Sequence, residues 1–270
     1  MIIDFHTHAF PDTLAPRAIG VLTEKSGLKP THDGTAQGLV SNLDKNGIDK
    51  AVVLSIATKA TQENSVNTFA ISLLDNPRLI PFGSVFPGSE TWSYQLDRLA
   101  DAGIKGIKLH PEYQGNGFFI DSDEAIEIFK KCGKLGLIVQ FHSGEDEAYP
   151  PPAHATPLRV NRICELCPDT RFVAAHMGGY NMWDEFLRDL EPHENLWLDA
   201  SQTRTAHRIN DDTAKAIISK MGPDHILFAS DAPWEDEADS LKGLLGLGLS
   251  DEDNQKILWK NAVKLLNLKV

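Results

Sequence analysis

The chain has 270 residues, 41% hydrophobic and 24% charged, a globular composition that excludes a disordered, collagenous or coiled-coil chain. Its 26 basic and 38 acidic residues leave a formal charge of −12, which opposes binding to a polyphosphate backbone, where affinity comes from cationic side chains. The length suits one large domain and no low-complexity stretch marks a boundary, so residues 1–270 are expected to form a single unit.

The opening Met1-Ile2-Ile3-Asp4-Phe5 lacks the basic and apolar regions of a signal peptide, and no apolar run approaches a membrane span. A cytoplasmic protein is the expectation. Ile2–Phe5 is the first of eight apolar runs, followed by Ala51–Ile56, Leu79–Val85, Gly103–Leu109, Leu137–Phe141, Arg171–Ala175, Leu196–Ala200 and Ile226–Ala229. Runs without polar alternation suit strands covered on both faces, as in a parallel sheet. Between the first two runs, residues 9–30 carry Pro11, Pro16, Gly20, Gly27 and Pro30 and read as an elaborated loop. Thr35 to Asn46 then predicts a helix stopped by Gly47, and Ser122 opens another that ends at Gly136. Cys164 and Cys167 form a lone C-x-x-C with no second pair to complete a zinc site, and with Cys132 they are read as reduced residues. Ser250 with Asp253 resembles a capping box ahead of a final helix.

Taking strand ends near 5, 56, 85, 109, 141, 175, 199 and 230, the spacing is 51 residues once and 24 to 34 thereafter. That is one strand–helix unit each. Eight such units predict an α/β fold, a (β/α)8 TIM barrel with an elaborated loop after strand one; a doubly wound sheet is the alternative.

The histidines carry the chemistry. His6 and His8 follow strand one, His110 ends strand four, His142 strand five and His176 strand six, while Asp231 ends strand eight. In a parallel barrel all these ends meet at one rim. Positions i and i+2 of a strand point the same way, so His6 and His8 present two imidazoles to one ion. His142 and Asp231 complete a set of three nitrogens and one carboxylate, suited to zinc first and manganese next. A lone strand-end histidine is more often a satisfied hydrogen-bonding residue, but so many ligand-type strand ends together are hard to assign to chance. His32, His154, His193, His207 and His225, in loops or before a strand, take the ordinary reading, although His154 is able to reach the site from its loop.

The segments IDFHTHAFP, GIKGIKLHP, VQFHSG, PDTRFVAAHMGG, ILFASDAPW and KILWKNAVKLLNL resemble the amidohydrolase superfamily, most closely its amidohydrolase-2 branch, in order and over nearly the whole chain. The resemblance implies a metal-bearing barrel with His6, His8 and His142 as ligands and Asp231 as both ligand and proton acceptor. It makes His176 a catalytic residue if one ion is bound, or a second-metal ligand if two are. Lys108 matches a strand-four lysine that is carboxylated in binuclear members. Unmodified, it suits an acid partner or a substrate carboxylate, because an ammonium has no lone pair for a metal.

Metal-activated water attacking a small ester, lactone or amide is the reaction expected. Non-oxidative decarboxylation of a small aromatic acid is the alternative, since the branch contains both. A TatD-like deoxyribonuclease is opposed by the charge and by Lys108 and His110 where a strand-four glutamate is expected; Glu112 stands nearby in a different context. A non-enzymatic metal-binding barrel is the remaining reading. Substrate choice is assigned to residues 9–34, 142–157 and 201–208. Lys108, His110 and Trp234 are candidate substrate contacts, and Arg17, Arg159 and Arg204 candidate carboxylate receivers. The expected partner is a small molecule, with self-association left open and no nucleic acid or membrane.

Overall fold

The computed structural model describes residues 1–115, 117–149, 151–201 and 209–269. Each predicted run overlaps a strand: β1 Ile3–Thr7, β2 Lys50–Leu54, β3 Leu79–Phe82, β4 Gly106–Leu109, β5 Ile138–Phe141, β6 Phe172–Ala174, β7 Leu196–Asp199 and β8 Ile226–Leu227. All pair in parallel, β1-β2-β3 as one group and β4 to β8 in sequence as the other. Hydrogen bonds join the groups at both seams. The Gly83 N–H donates to the Gly106 carbonyl at 3.0 Å and the Lys108 N–H to Gly83 at 2.8 Å, while Phe5 donates to Phe228 and Asp231 to His6, each at 2.8 Å. The architecture is the (β/α)8 barrel. β8 is short because the Phe228 N–H leaves the ladder for the Ile257 carbonyl of the last helical segment.

Alternate strand residues separate two cores. Ile3, Phe5, Val52, Phe82, Ile138 and Leu227 cluster together with Leu265 and Leu266 of the C-terminal helix. Ala51, Val53, Ile107, Val139 and Phe172 belong instead to the larger cluster shared with helix residues such as Leu39, Leu96 and Phe129. In β1 this alternation breaks once: Asp4 pairs with Ala51 but Thr7 with Val53, three steps against two. Such a bulge re-aims the side chains beyond it, so Phe5 stays in the inner cluster while His6 and His8 line the cavity above.

The helices are numbered α1 Ala15–Ser26, α2 Ala36–Asn46, α3 Glu63–Ser72, α4 Trp92–Asp101, α5 Asp123–Leu135, α6 Pro157–Leu166, α7 Trp183–Asp189, α8 Asp211–Met221 and α9 Glu237–Leu245. Helical chain over Asp251–Leu266 follows. The capping expectations hold: Thr35 accepts from the Gly38 N–H, Ser122 from Ala125 and Ser250 from Asp253, and Gly47 and Gly136 close their helices in the left-handed region. Residues 9–30 differ from the loop expected, because they contain α1. Pro16 occupies its first turn, where no N–H is needed. The three cysteines are buried free thiols, and burial pushes Cys164 up to about 12, the behaviour of a packing residue. Among the described residues no helix is long and apolar enough to cross a membrane.

Candidate metal centre

The decisive geometry is a matter of where hydrogens can sit. His8 Nδ1 lies 3.0 Å from the Leu54 carbonyl oxygen, which only accepts, so Nδ1 carries a hydrogen and Nε2 is the ring nitrogen turned to the cavity. That nitrogen meets Asp231 Oδ1 at 2.9 Å. His6 repeats the pattern. Its Nδ1 donates to Asp199 Oδ2 at 2.9 Å, and its Nε2 lies 3.2 Å from the same Asp231 Oδ1. Burial, with Lys108 nearby, pushes His6 well below the ordinary imidazole value, so its ring is neutral. Burial alone would raise Asp231, but His6, His8 and Lys108 outweigh it and hold the carboxyl ionised.

Three ligand-type atoms, His6 Nε2, His8 Nε2 and Asp231 Oδ1, thus lie within 4.8 Å of one another. Such an arrangement is favourable around a cation. Histidines whose far nitrogen is fixed by a carboxylate or carbonyl are the usual form of metal ligands. The donor set, two imidazoles and a carboxylate, fits a divalent first-row ion.

His142 stands one ring away. Its Nε2–H donates to the Glu145 carbonyl at 2.8 Å, leaving the Nδ1 lone pair, which lies 3.0 Å from His176 Nε2. Burial lowers both rings. The compact three-residue group that includes His142 is with His110 and Asp146. His176 Nδ1 in turn lies 2.9 Å from Ser201 Oγ. Ser201 Oγ contacts Asp199 Oδ1, and Asp199 also accepts the backbone N–H of His176 and of Ser201, each at 3.1 Å, and Gln140 Nε2 at 2.7 Å. Asp199 and Ser201 therefore orient both His6 and His176. Neither was singled out from the sequence, although Asp199 ends strand seven in LWLDAS just as Asp231 follows strand eight. The Asp231 and His176 backbones have φ of 76° and 59°, strained for side-chain-bearing residues and typical of functional positions.

Lys108 is fully buried with Nζ 3.3 Å from His6 Nε2. Burial brings it down to about 8, against the opposing charges of Asp199, Asp231 and Glu112. His110 stacks on His142 with centroids 4.2 Å apart, between Asp146 Oδ2 at 3.3 Å and Glu112 Oε2 at 3.4 Å. Burial disfavours its charge, but the two carboxylates reverse the balance and raise it. These groups open into a cavity of about 630 Å³, which His6, His8, His142, His176, Asp231 and Lys108 all line. His110 and Trp234 line it as well. Arg159 does not. It pairs with Asp121 and packs over the Phe119 ring, because an acid close at hand outcompetes a distant ligand. Arg17 is also absent from the cavity wall, and Arg204, with residues 202–208, lies outside the described residues.

A family model described as amidohydrolase matches residues 3–268. No curated protein matches the chain. Among solved structures, 2,6-dihydroxybenzoate decarboxylase from Rhizobium superposes with a TM-score of 0.74 at 17% identity, covering 98% of both chains. A dihydroxybenzoic acid decarboxylase from Polaromonas sp., with bound manganese and the inhibitor 2-nitroresorcinol, gives 0.74 at 18% identity over 99% of this chain and 97% of that one. A probable 2-pyrone-4,6-dicarboxylic acid hydrolase from Acinetobacter baumannii, with citric acid bound, gives 0.69 at 17% identity over 99% of each. At these identities the likeness is one of fold.

Proposed function

The chain belongs to the amidohydrolase family, and on that premise we propose that it is a metal-dependent hydrolase of a small ester, lactone or amide. The observation that carries the reading is the convergence of His6 Nε2, His8 Nε2 and Asp231 Oδ1, three ligand-type atoms at one point of the rim. Zinc is the first choice of ion and manganese the second, with His142 Nδ1 the next lone pair available. A divalent ion held there supplies Lewis acidity, polarising a carbonyl and acidifying water.

The chain's own groups do the remainder. Asp231 turns Oδ1 toward both imidazoles, which leaves Oδ2 to take a proton and return it to the leaving group. His176 lines the same cavity; Ser201 donates to Asp199 and accepts from His176 Nδ1, which leaves the His176 Nε2 lone pair to help move the proton. The Lys108 ammonium, with His110 beside it on the cavity wall, receives a substrate carboxylate. Trp234 supplies apolar wall.

Decarboxylation of a small aromatic acid is the second reading. The buried Lys108 ammonium favours it, since it can seat a carboxylate beside the metal ligands, and the manganese-bearing decarboxylase above shares the fold. The test is metal content before and after reconstitution with zinc or manganese, then turnover on esters, lactones, amides and hydroxybenzoates, with single-stranded DNA included. One ion per chain with turnover on a carbonyl substrate is expected. Two ions with a modified Lys108 would establish a binuclear centre, and no ion bound even after reconstitution would refute the proposal.

A further inference from the structure

The cavity has a second end. Helix α1 and its flanks form one wall, with Leu14, Ala18, Val21, Leu22 and Lys25 all lining it. Their spacing of four, three, one and three places them on a single helical face. Leu14 and Val21 are each 45% exposed although they belong to this wall. Water-exposed apolar residues on a concave surface mark where an apolar ligand body rests. At the C-terminal end of the same face, Lys25 Nζ stands 5.6 Å from the Tyr113 ring centroid and 5.7 Å from that of Tyr149. The two rings meet edge-on at 4.9 Å, and Tyr113 packs edge-on against His110 at 4.3 Å. This contact ties α1 to the segments that follow β4 and β5. Among the described residues Lys25 has no carboxylate partner, so its charge is held over two aromatic faces and left open to an incoming anion.

We infer that Lys25, on the α1 wall, is a specificity-determining anchor for a second carboxylate of the substrate. The inference rests on the proposed metal centre, which takes the reacting group at the floor. The substrate class is then an acid with an apolar body and a distal carboxylate. A cavity of about 630 Å³ lies within the range that accommodates drug-sized ligands, ~300–1,000 Å³, and has room for a body of that kind.

The test uses biphenyl-4,4′-dicarboxylate and biphenyl-4-carboxylate as probes, titrated calorimetrically into metal-loaded wild type, Lys25→Met and Lys25→Arg, with metal content measured on the same samples. Wild type should prefer the diacid by about fivefold, the scale of a partly exposed charge pair, and the preference should shrink as salt is raised. Lys25→Met should bring the ratio to about one, and Lys25→Arg should restore it. An unchanged ratio in Lys25→Met, no preference in wild type, or no binding of either probe at full metal content overturns the Lys25 assignment alone. Samples that hold no metal refute the underlying centre instead.

Discussion

Replacing Asp199 by Asn tests whether the metal centre is built on tautomer control. Asp199 Oδ1 accepts from two backbone N–H groups and contacts Ser201 Oγ, whereas Oδ2 accepts from His6 Nδ1 and Gln140 Nε2. An amide must put its NH₂ on one of those two sides. Backbone donors cannot change, but an imidazole can move its hydrogen and a glutamine amide can flip. The Asn NH₂ therefore takes the Oδ2 side, and the His6 hydrogen moves from Nδ1 to Nε2. There it points at Asp231 Oδ1, 3.2 Å away, and forms a charge-assisted hydrogen bond in place of two facing lone pairs. The metal loses a ligand while the metal-free protein loses little. Substitutions of such orienting groups cost about 10–100-fold in metal affinity, or ~1.4–2.7 kcal/mol. Competition with a chromophoric chelator measures the affinity, ¹⁵N shifts of the imidazoles report the tautomer, and thermal melting of metal-free protein reports the fold. Wild-type metal affinity in Asp199→Asn would refute the argument. So would a metal-free variant that melts far below wild type, because the amide would then be facing the backbone donors.

Asp231→Asn should lower kcat by ~10²–10⁴-fold, the usual cost of losing positioned proton transfer, in protein that still holds its ion; near-full activity at equal metal content would transfer the base role to His176. His32 has a buried Nε2 without a partner, and burial brings the ring down to about 4. Because it is neutral in the fold while the unfolded chain takes a proton below about 6.5, its contribution is complete above that pH and lost as pH falls toward 4. Urea midpoints across this window should slope less in His32→Gln than in wild type, and parallel slopes would contradict the assignment. Gly144 has φ of 91°, and a Cβ there would sit 2.3 Å from the Tyr180 nitrogen and 2.4 Å from its oxygen. Gly144→Ala should therefore cost about 1–3 kcal/mol in denaturant unfolding, and, by displacing the Glu145 carbonyl that holds His142, reduce metal retention; a neutral result would mean the loop shifts without penalty.

The rim of the site was legible because a parallel barrel turns distant strand ends into neighbours. His6, His8, His110, His142, His176 and Asp231 are spread over the whole chain yet line one cavity. The period-two argument for His6 and His8 also holds, although it depends on the bulge that lets Phe5 and His6 both serve the interior. What pattern reading lacks is the partner of each second ring nitrogen. For His8 and His142 that partner is a backbone carbonyl, of Leu54 and Glu145, and every residue has one, so no spacing of side chains reveals it. Asp199 is a side chain, but a buried acid ending a strand looks the same whether it holds a metal or holds a ligand. Helix α1 was missed for a different reason. Pro16 and Gly20 are poor helix formers, and Ala15 is the one residue of this helix that is fully buried, so little core packing compensates for them. Its apolar positions line the cavity instead of the core. In a helix so placed, a change of side chain alters the cavity wall before it alters the core.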